Sequence, residues 1–147
     1  ENFANKIRST LTESDILDSF QRIGIKAPLD MPLCDFVAPL NSVSNGGIGS
    51  TDVGDVSWVV PTVQARIATC AVGTPFHTWQ TVAQGKAPAA HKGMVHAAKI
   101  MASTACALIK SPKKLNEAKE AFTKQIEKHP YICPIPDGTM PPIIKQE

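Results

Sequence analysis

The sequence lacks any long hydrophobic run and any block of charge of one sign. None of its apolar stretches approaches the roughly 20 residues that a transmembrane helix needs. Its 15 basic and 13 acidic residues leave a net charge of +2, and their dispersal argues against nucleic-acid or membrane partners. The first residues, Glu1–Asn5, have neither the basic nor the apolar part of a signal peptide. We therefore expect a globular protein that binds neither nucleic acid nor membrane.

Paired cysteines are also missing. The four cysteines, Cys34, Cys70, Cys106 and Cys133, form no CxxC spacing, which argues against a zinc ribbon or a redox pair. Cys70 ends an apolar stretch and Cys106 lies in an Ala-rich segment, so we expect buried free thiols. Free thiols predict a cytoplasmic location.

Four helices are predicted from local signals. Thr12 followed by Asp15 forms a capping-box pattern, and Gly24 is a suitable C-cap for the same helix. Pro112 stands where the first turn of the last helix would begin. The predicted helices cover residues 2–10, 12–24, about 89–110 and about 113–128.

Between the helices the sequence predicts short strands and two polar loops, hence an α/β fold with few strands flanked by helices. So thin a sheet indicates that part of it belongs to sequence outside this chain. The strands are predicted at 35–37, 57–60 and 63–69, the loops at 42–56 and 73–88, and an extended Pro-rich tail at 129–147.

The two loops hold the candidate functional residues, Asp52 and Asp55 in the first and His77 in the second. A lone loop histidine is more often hydrogen-bonded or exposed than metal-bound, because a zinc site needs three or four ligands. His91 and His96 are five residues apart on a helix and so do not share a face. The glycine-rich loop lacks the Lys-Ser/Thr ending of a phosphate-binding loop. The residues alone leave loop capping and ligand binding open.

Three motifs in order resemble those of one enzyme family. The runs Gly49–Pro61, Gly73–Gln80 and Ala89–Lys99 are similar to the GSTD-type segment, the late histidine loop and the closing helix of M20-type amidohydrolases (metallopeptidases). The likeness is greatest to the aminobenzoyl-glutamate hydrolase branch and extends over essentially the whole chain. It implies that residues 1–147 form the C-terminal segment of a three-layer, zinc-peptidase-like catalytic domain. The upstream catalytic half and the lid domain would be absent.

The resemblance also implies a chemistry. Family members use two divalent metal ions, zinc or manganese, and His77 matches the final metal ligand. A substrate-binding loop matches Gly49, Ser50, Thr51 and Asp52, whose backbone N–H and hydroxyl groups would hold a carboxylate. The general-base glutamate belongs to the absent part, so no catalytic residue is predicted here. Phe76 departs from the small residue usual in this branch and leaves the exact substrate open.

The function implied is hydrolysis of the amide bond of aminobenzoyl-glutamate or a similar N-acyl or N-aryl amino acid. The isolated chain would be inactive, would bind no metal by itself and would expose an apolar surface. Its partners would be the amide substrate, the upstream part of the same protein and, in a full-length form, at least one further copy. The alternative is a non-catalytic binding or assembly module derived from the family. A third interpretation, a small ligand-binding domain, is supported by the glycine-rich loop alone.

Overall fold

The computed structural model describes residues 1–21, 25, 30–39 and 51–142. Within these residues the regular structure consists of six α-helices. They are α1 (Asn2–Arg8), α2 (Glu13–Gln21), α3 (Val53–Ser57), α4 (Trp79–Gln84), α5 (Pro88–Ile109) and α6 (Pro112–Lys128). No described helix is long and apolar enough to cross a bilayer.

The predicted helices are confirmed wherever their signals were local. Thr12 and Asp15 form the predicted capping box. The Thr12 N–H donates to Asp15 Oδ2 at 2.9 Å, and the Asp15 N–H donates to Thr12 Oγ1 at 3.2 Å. Ser111 caps α6 by accepting from the Lys114 N–H at 3.4 Å, with Pro112 in the first turn. The predicted cap at Gly24 lies outside the described residues.

The predicted strands are wrong over the part of the chain that the structure describes. Residues 35–37 and 63–69 are irregular, and residues 57–60 form the end of α3 and the turn after it. A strand is stable only when its backbone pairs with a neighbour, and Val59 and Val63 are exposed over 74% and 82% of their surface. The described structure is thus helical, and the layered α/β arrangement is not observed in it.

Two further corrections concern helices inside predicted loops. α3 occupies residues predicted as the end of the glycine-rich loop, and α4 lies within the predicted irregular stretch 73–88. Thr78 precedes α4 with extended backbone, as an N-cap residue does, but the surrounding prolines and glycines concealed this signal. The tail from 129 to 142 contains no helix or strand, and residues 143–147 lie outside the described part.

The chain divides into two compact units. The first comprises residues 1–50 and 64–107, and the second comprises residues 51–63 and 108–147. The core of the first unit joins α1 to the segment before α4, through buried Ala4, Ile7 and Ala71 with Leu33 packed against them.

Within the first unit, α5 lies against the segment that precedes Cys70. Gly93 is the buried residue of α5, and a Cβ atom at this position would overlap the Ala68 carbonyl oxygen and lie 2.8 Å from Thr69 Cγ2. Only a glycine allows backbones to approach this closely. Elsewhere α5 exposes large apolar side chains, including Met94 at 62% and Met101 at 72%. This agrees with the apolar exposure expected of such a segment.

The four cysteines are free thiols, as predicted. The predicted burial is wrong, because Cys106 is exposed and Cys70 only half-buried. Cys106 lies on α5, which packs against the rest of its unit chiefly around Gly93.

Candidate functional site

The segment from Ala71 to Thr78 carries His77 in the first unit. Ala71, Val72 and Thr74 are buried, whereas His77 is exposed. His77 is the non-glycine residue with left-handed backbone in the described chain, at φ +62°. Non-glycine residues pay a steric penalty in this conformation and concentrate where function requires a fixed geometry. The imidazole makes no hydrogen bond to another described residue, so its nitrogens remain available to a ligand.

A tight turn precedes His77 and fixes the start of this segment. Gly73 has φ +91°, and a Cβ there would lie 2.8 Å from Ile16 Cγ1 of α2. The Thr74 hydroxyl donates to the Ala71 carbonyl at 2.7 Å, and the Val72 N–H donates to the Pro32 carbonyl at 3.0 Å. The turn is therefore packed against α2 and bonded to the segment around Pro32.

Gln84 connects this turn to α4 from inside the unit. Its side chain is 3% exposed. Its Oε1 accepts from the Ala71 N–H at 2.7 Å, and its Nε2 donates to Thr74 Oγ1 and to the Gln80 carbonyl, both at 3.0 Å. A buried amide is tolerated when its polar atoms are bonded in this way. Sequence reasoning missed Gln84, because its partners lie 10 and 13 residues away and no local pattern marks them.

Threonine hydroxyl groups hold the other side of the His77 loop. The Thr78 and Thr81 hydroxyls both donate to the Pro75 carbonyl, at 2.8 and 2.7 Å. The turn before His77 is thus bonded to Gln84 of α4, and the Thr78 and Thr81 hydroxyls, which follow His77, bond back to the Pro75 carbonyl. Phe76, beside it, exposes 67% of its surface.

The predicted substrate loop is described only in part. Gly49 and Ser50 lie outside the described residues, whereas Thr51 and Asp52 are exposed at the start of α3 in the second unit. The Thr51 hydroxyl accepts from the Val53 N–H at 3.4 Å, and the Asp52 carboxylate makes no capping hydrogen bond. The Asp52 carboxylate therefore does not cap α3, and capping was one of the two roles that the sequence left open.

A cluster that sequence reasoning did not detect adjoins α3 in the second unit. The Tyr131 hydroxyl donates to Asp55 Oδ1 at 3.2 Å, and the Tyr131 and Trp58 rings lie 6.0 Å apart. The hydrogen bond to the Asp55 carboxylate, aided by desolvation, raises the pKa of Tyr131. The 76 residues between the two partners explain why no sequence pattern pointed to this contact.

The described residues do not form a complete metal site by themselves. No group of three or more His, Cys, Asp or Glu side chains in them is arranged to hold a metal ion. Since a zinc site needs three or four protein ligands, His77 fits as one ligand whose companions would come from elsewhere. His91, His96 and His129 are exposed and lie on or at the end of helices.

Comparison with known proteins gives one informative match. The chain is 39% identical, over 97% of its length, to one of the subunits of the p-aminobenzoyl-glutamate hydrolase of Escherichia coli (strain K12). By sequence the chain is similar to one part of that hydrolase subunit. This confirms the resemblance to aminobenzoyl-glutamate hydrolase. The aligned region spans 32% of the relative's length, which agrees with a segment of about one third.

No family model matches the chain, and no solved structure matches it. The geometry of the His77 loop and of α3 therefore comes from the structure of this chain alone.

Proposed function

We propose that this chain forms one wall of the active site of a metal-dependent amidohydrolase. The enzyme would cleave the amide bond of aminobenzoyl-glutamate or a similar N-acyl or N-aryl amino acid. The observation that carries the proposal is His77. Its imidazole is exposed and unbonded, its backbone is left-handed, and the residues before it are hydrogen-bonded to Thr78 and Gln84. The chain is also similar to a subunit of a p-aminobenzoyl-glutamate hydrolase.

The proposed role of His77 is that of a metal ligand. A neutral imidazole nitrogen is a good ligand for zinc and related divalent ions. Bound divalent metal ions supply the chemistry of such a site, by lowering the pKa of water and polarising the amide carbonyl. The other ligands and the general-base glutamate would come from the upstream part of the protein, so the isolated chain would be inactive.

The loop from Gly49 to Asp52 would contact the substrate. The Thr51 hydroxyl lies on an exposed surface at the start of α3 and is able to donate to a carboxylate oxygen. Gly49 allows close approach of the backbone, and Ser50 adds a second hydroxyl. These residues would hold an amino-acid carboxylate of the substrate.

The full-length protein would require its upstream part and assemble as a homodimer or a larger oligomer. Free thiols favour the cytoplasm as its compartment. The exposed apolar side chains of α5 agree with a chain that packs against further sequence.

The test is hydrolysis of aminobenzoyl-glutamate by the chain joined to the upstream part of its gene, with zinc or manganese added. We expect His77→Ala to lower kcat/KM by more than about 100-fold, because even partners of metal ligands change activity 10–100-fold. His91→Ala, an exposed histidine on α5, is the matched control and should leave the rate unchanged. Full activity of His77→Ala would refute the assignment. Absence of hydrolysis in a correctly assembled protein would favour the alternative, a non-catalytic binding or assembly module.

A further inference from the structure

The structure singles out a buried amide behind the exposed histidine. Gln84 makes three hydrogen bonds, and each goes to a different place: the Ala71 N–H, the Thr74 hydroxyl and the Gln80 carbonyl. The first two partners lie at the two ends of the turn before His77. The third keeps the Gln84 amide fixed along α4.

This arrangement exceeds what α4 needs for its own stability. The bond to the Gln80 carbonyl is internal to α4, but the other two reach back 13 and 10 residues to a turn that Gly73 closes with φ +91°. The Thr74 hydroxyl, which accepts from Gln84, also donates to the Ala71 carbonyl at 2.7 Å. Ala71, Thr74 and Gln84 thus form a closed ring of hydrogen bonds.

His77 depends on such support because its backbone is strained. A left-handed conformation is sterically unfavourable for a non-glycine residue, so it persists only where neighbouring contacts impose it. The Gln84 ring holds the chain three residues before His77, and the hydroxyls of Thr78 and Thr81, which follow His77, close the loop by bonding back to the Pro75 carbonyl. Without these bonds the backbone at His77 would be free to relax, and the imidazole would turn away.

We infer that Gln84 is a positioning residue for His77: it holds the loop in the left-handed conformation that presents the imidazole to a metal ion. This inference rests on the proposed function and deepens it. Gln84 touches neither substrate nor metal, and its effect passes through the Ala71–Thr74 turn. A neutral amide suits this place because it supplies an acceptor for one backbone N–H and donors for two oxygens at once.

The decisive variant is Gln84→Met in the protein joined to its upstream part, with metal affinity measured by competition against a chromophoric chelator. Methionine keeps the length of the side chain and removes its amide. We expect metal affinity to fall by about 10–100-fold, as it does when the partners of metal ligands are removed. Gln80→Met, one turn earlier on α4 and half-buried, is the matched control and should stay within about twofold.

A double-mutant cycle with His77→Ala separates positioning from a general loss of stability. If Gln84 acts through His77, Gln84→Met lowers the affinity of the original protein and has no further effect once His77 is alanine. An equal loss in both backgrounds would mean that Gln84 merely stabilises the fold, and would overturn the inference. An effect of His77→Ala without any effect of Gln84→Met would overturn it too, while leaving the proposed function intact. No effect of His77→Ala would remove the proposed function itself.

A second measurement does not require metal or activity. In this chain alone, Gln84→Met should accelerate amide hydrogen exchange over residues 71–78 and leave α6 unchanged. Unchanged exchange over residues 71–78 would contradict the inference. Should Gln84→Met fail to fold, Gln84→Glu keeps the acceptor for the Ala71 N–H and loses the donors, and Thr81→Val removes one of the two hydroxyl bonds to the Pro75 carbonyl. Gln84→Glu and Thr81→Val are each combined with His77→Ala in the same double-mutant cycle, and the same outcomes are expected.

Discussion

The close approach of α5 to the segment at Ala68 makes Gly93→Ala a sharp test of the fold. In an open helix, alanine in place of glycine would stabilise the protein by about 1 kcal/mol. At position 93 the added Cβ would overlap the Ala68 carbonyl oxygen and lie 2.8 Å from Thr69 Cγ2. The nearest atom belongs to the backbone, so the clash is not relieved by rotating a side chain.

The expected change in the free energy of unfolding is the cost of overpacking less the gain in helix propensity. Overpacking costs about 1–3 kcal/mol, and a backbone clash belongs in the upper part of that range. After the gain in helix propensity, we expect Gly93→Ala to lower the free energy of unfolding by about 1–2 kcal/mol, or roughly 5- to 30-fold in the folded-to-unfolded ratio. Urea denaturation followed by far-UV circular dichroism measures this change.

The same substitution elsewhere supplies the control. Gly54 lies inside α3, and a Cβ there would meet nothing within 4 Å. Gly54→Ala should therefore raise stability slightly, by up to about 1 kcal/mol. If Gly93→Ala shifts the urea midpoint upward as Gly54→Ala does, α5 does not lie against residues 68–69 and the described packing is wrong.

Two further predictions concern pKa values. Tyr131 is the one tyrosine of the sequence, so its ionisation is measured directly by its ultraviolet absorbance. Its pKa is raised above the ordinary 10.0 chiefly by the hydrogen bond to Asp55, and Asp55→Asn should lower it toward that value, whereas Asp52→Asn should not. The Thr12 backbone N–H and then its hydroxyl lower the pKa of Asp15 below the ordinary 3.8, so this contribution to stability is present above 3.8 and is lost as pH falls through the lowered pKa. Asp15→Asn should remove that part of the acid-induced loss of helicity, followed by circular dichroism.

Each of these predictions has a clear contrary outcome. An unchanged titration in Asp55→Asn would mean that Tyr131 does not contact that carboxylate in solution. Because the hydrogen bond favours the neutral phenol, its contribution to stability is present below the ordinary pKa of 10.0 and disappears as pH rises through the raised pKa. An identical acid profile for Asp15→Asn would show that the capping box of α2 is not formed.

Much of the helical structure could be predicted from the sequence because its determinants are local. The capping box of Thr12 and Asp15 and the Ser111-Pro112 start of α6 all act within one turn. α5 follows from an Ala-rich run with high helix propensity. The motif around His77 predicts it as a candidate metal ligand, and three motifs in order indicated the resemblance to aminobenzoyl-glutamate hydrolase.

Other features could not be predicted because they depend on contacts between distant residues. The strands at 57–60 and 63–69 had a suitable pattern, yet a strand needs a partner, and no partner strand occurs in the described chain. Gln84 was invisible because its partners at Ala71 and Thr74 are brought to it by the fold.

By itself, the sequence determined the resemblance to aminobenzoyl-glutamate hydrolase and the helices with strong caps, and it predicts His77 as a metal ligand. The tertiary structure alone decided that His77 has a left-handed backbone and follows a turn that is hydrogen-bonded to Gln84 and Thr81 of α4. It also decided that Gly93 is required where α5 meets residues 68–69. The physical reason is the distance along the chain over which each interaction acts. Helix capping and helix propensity act over a single helical turn. The hydrogen bonds of a buried amide and a close backbone contact form only when segments distant in the sequence come together.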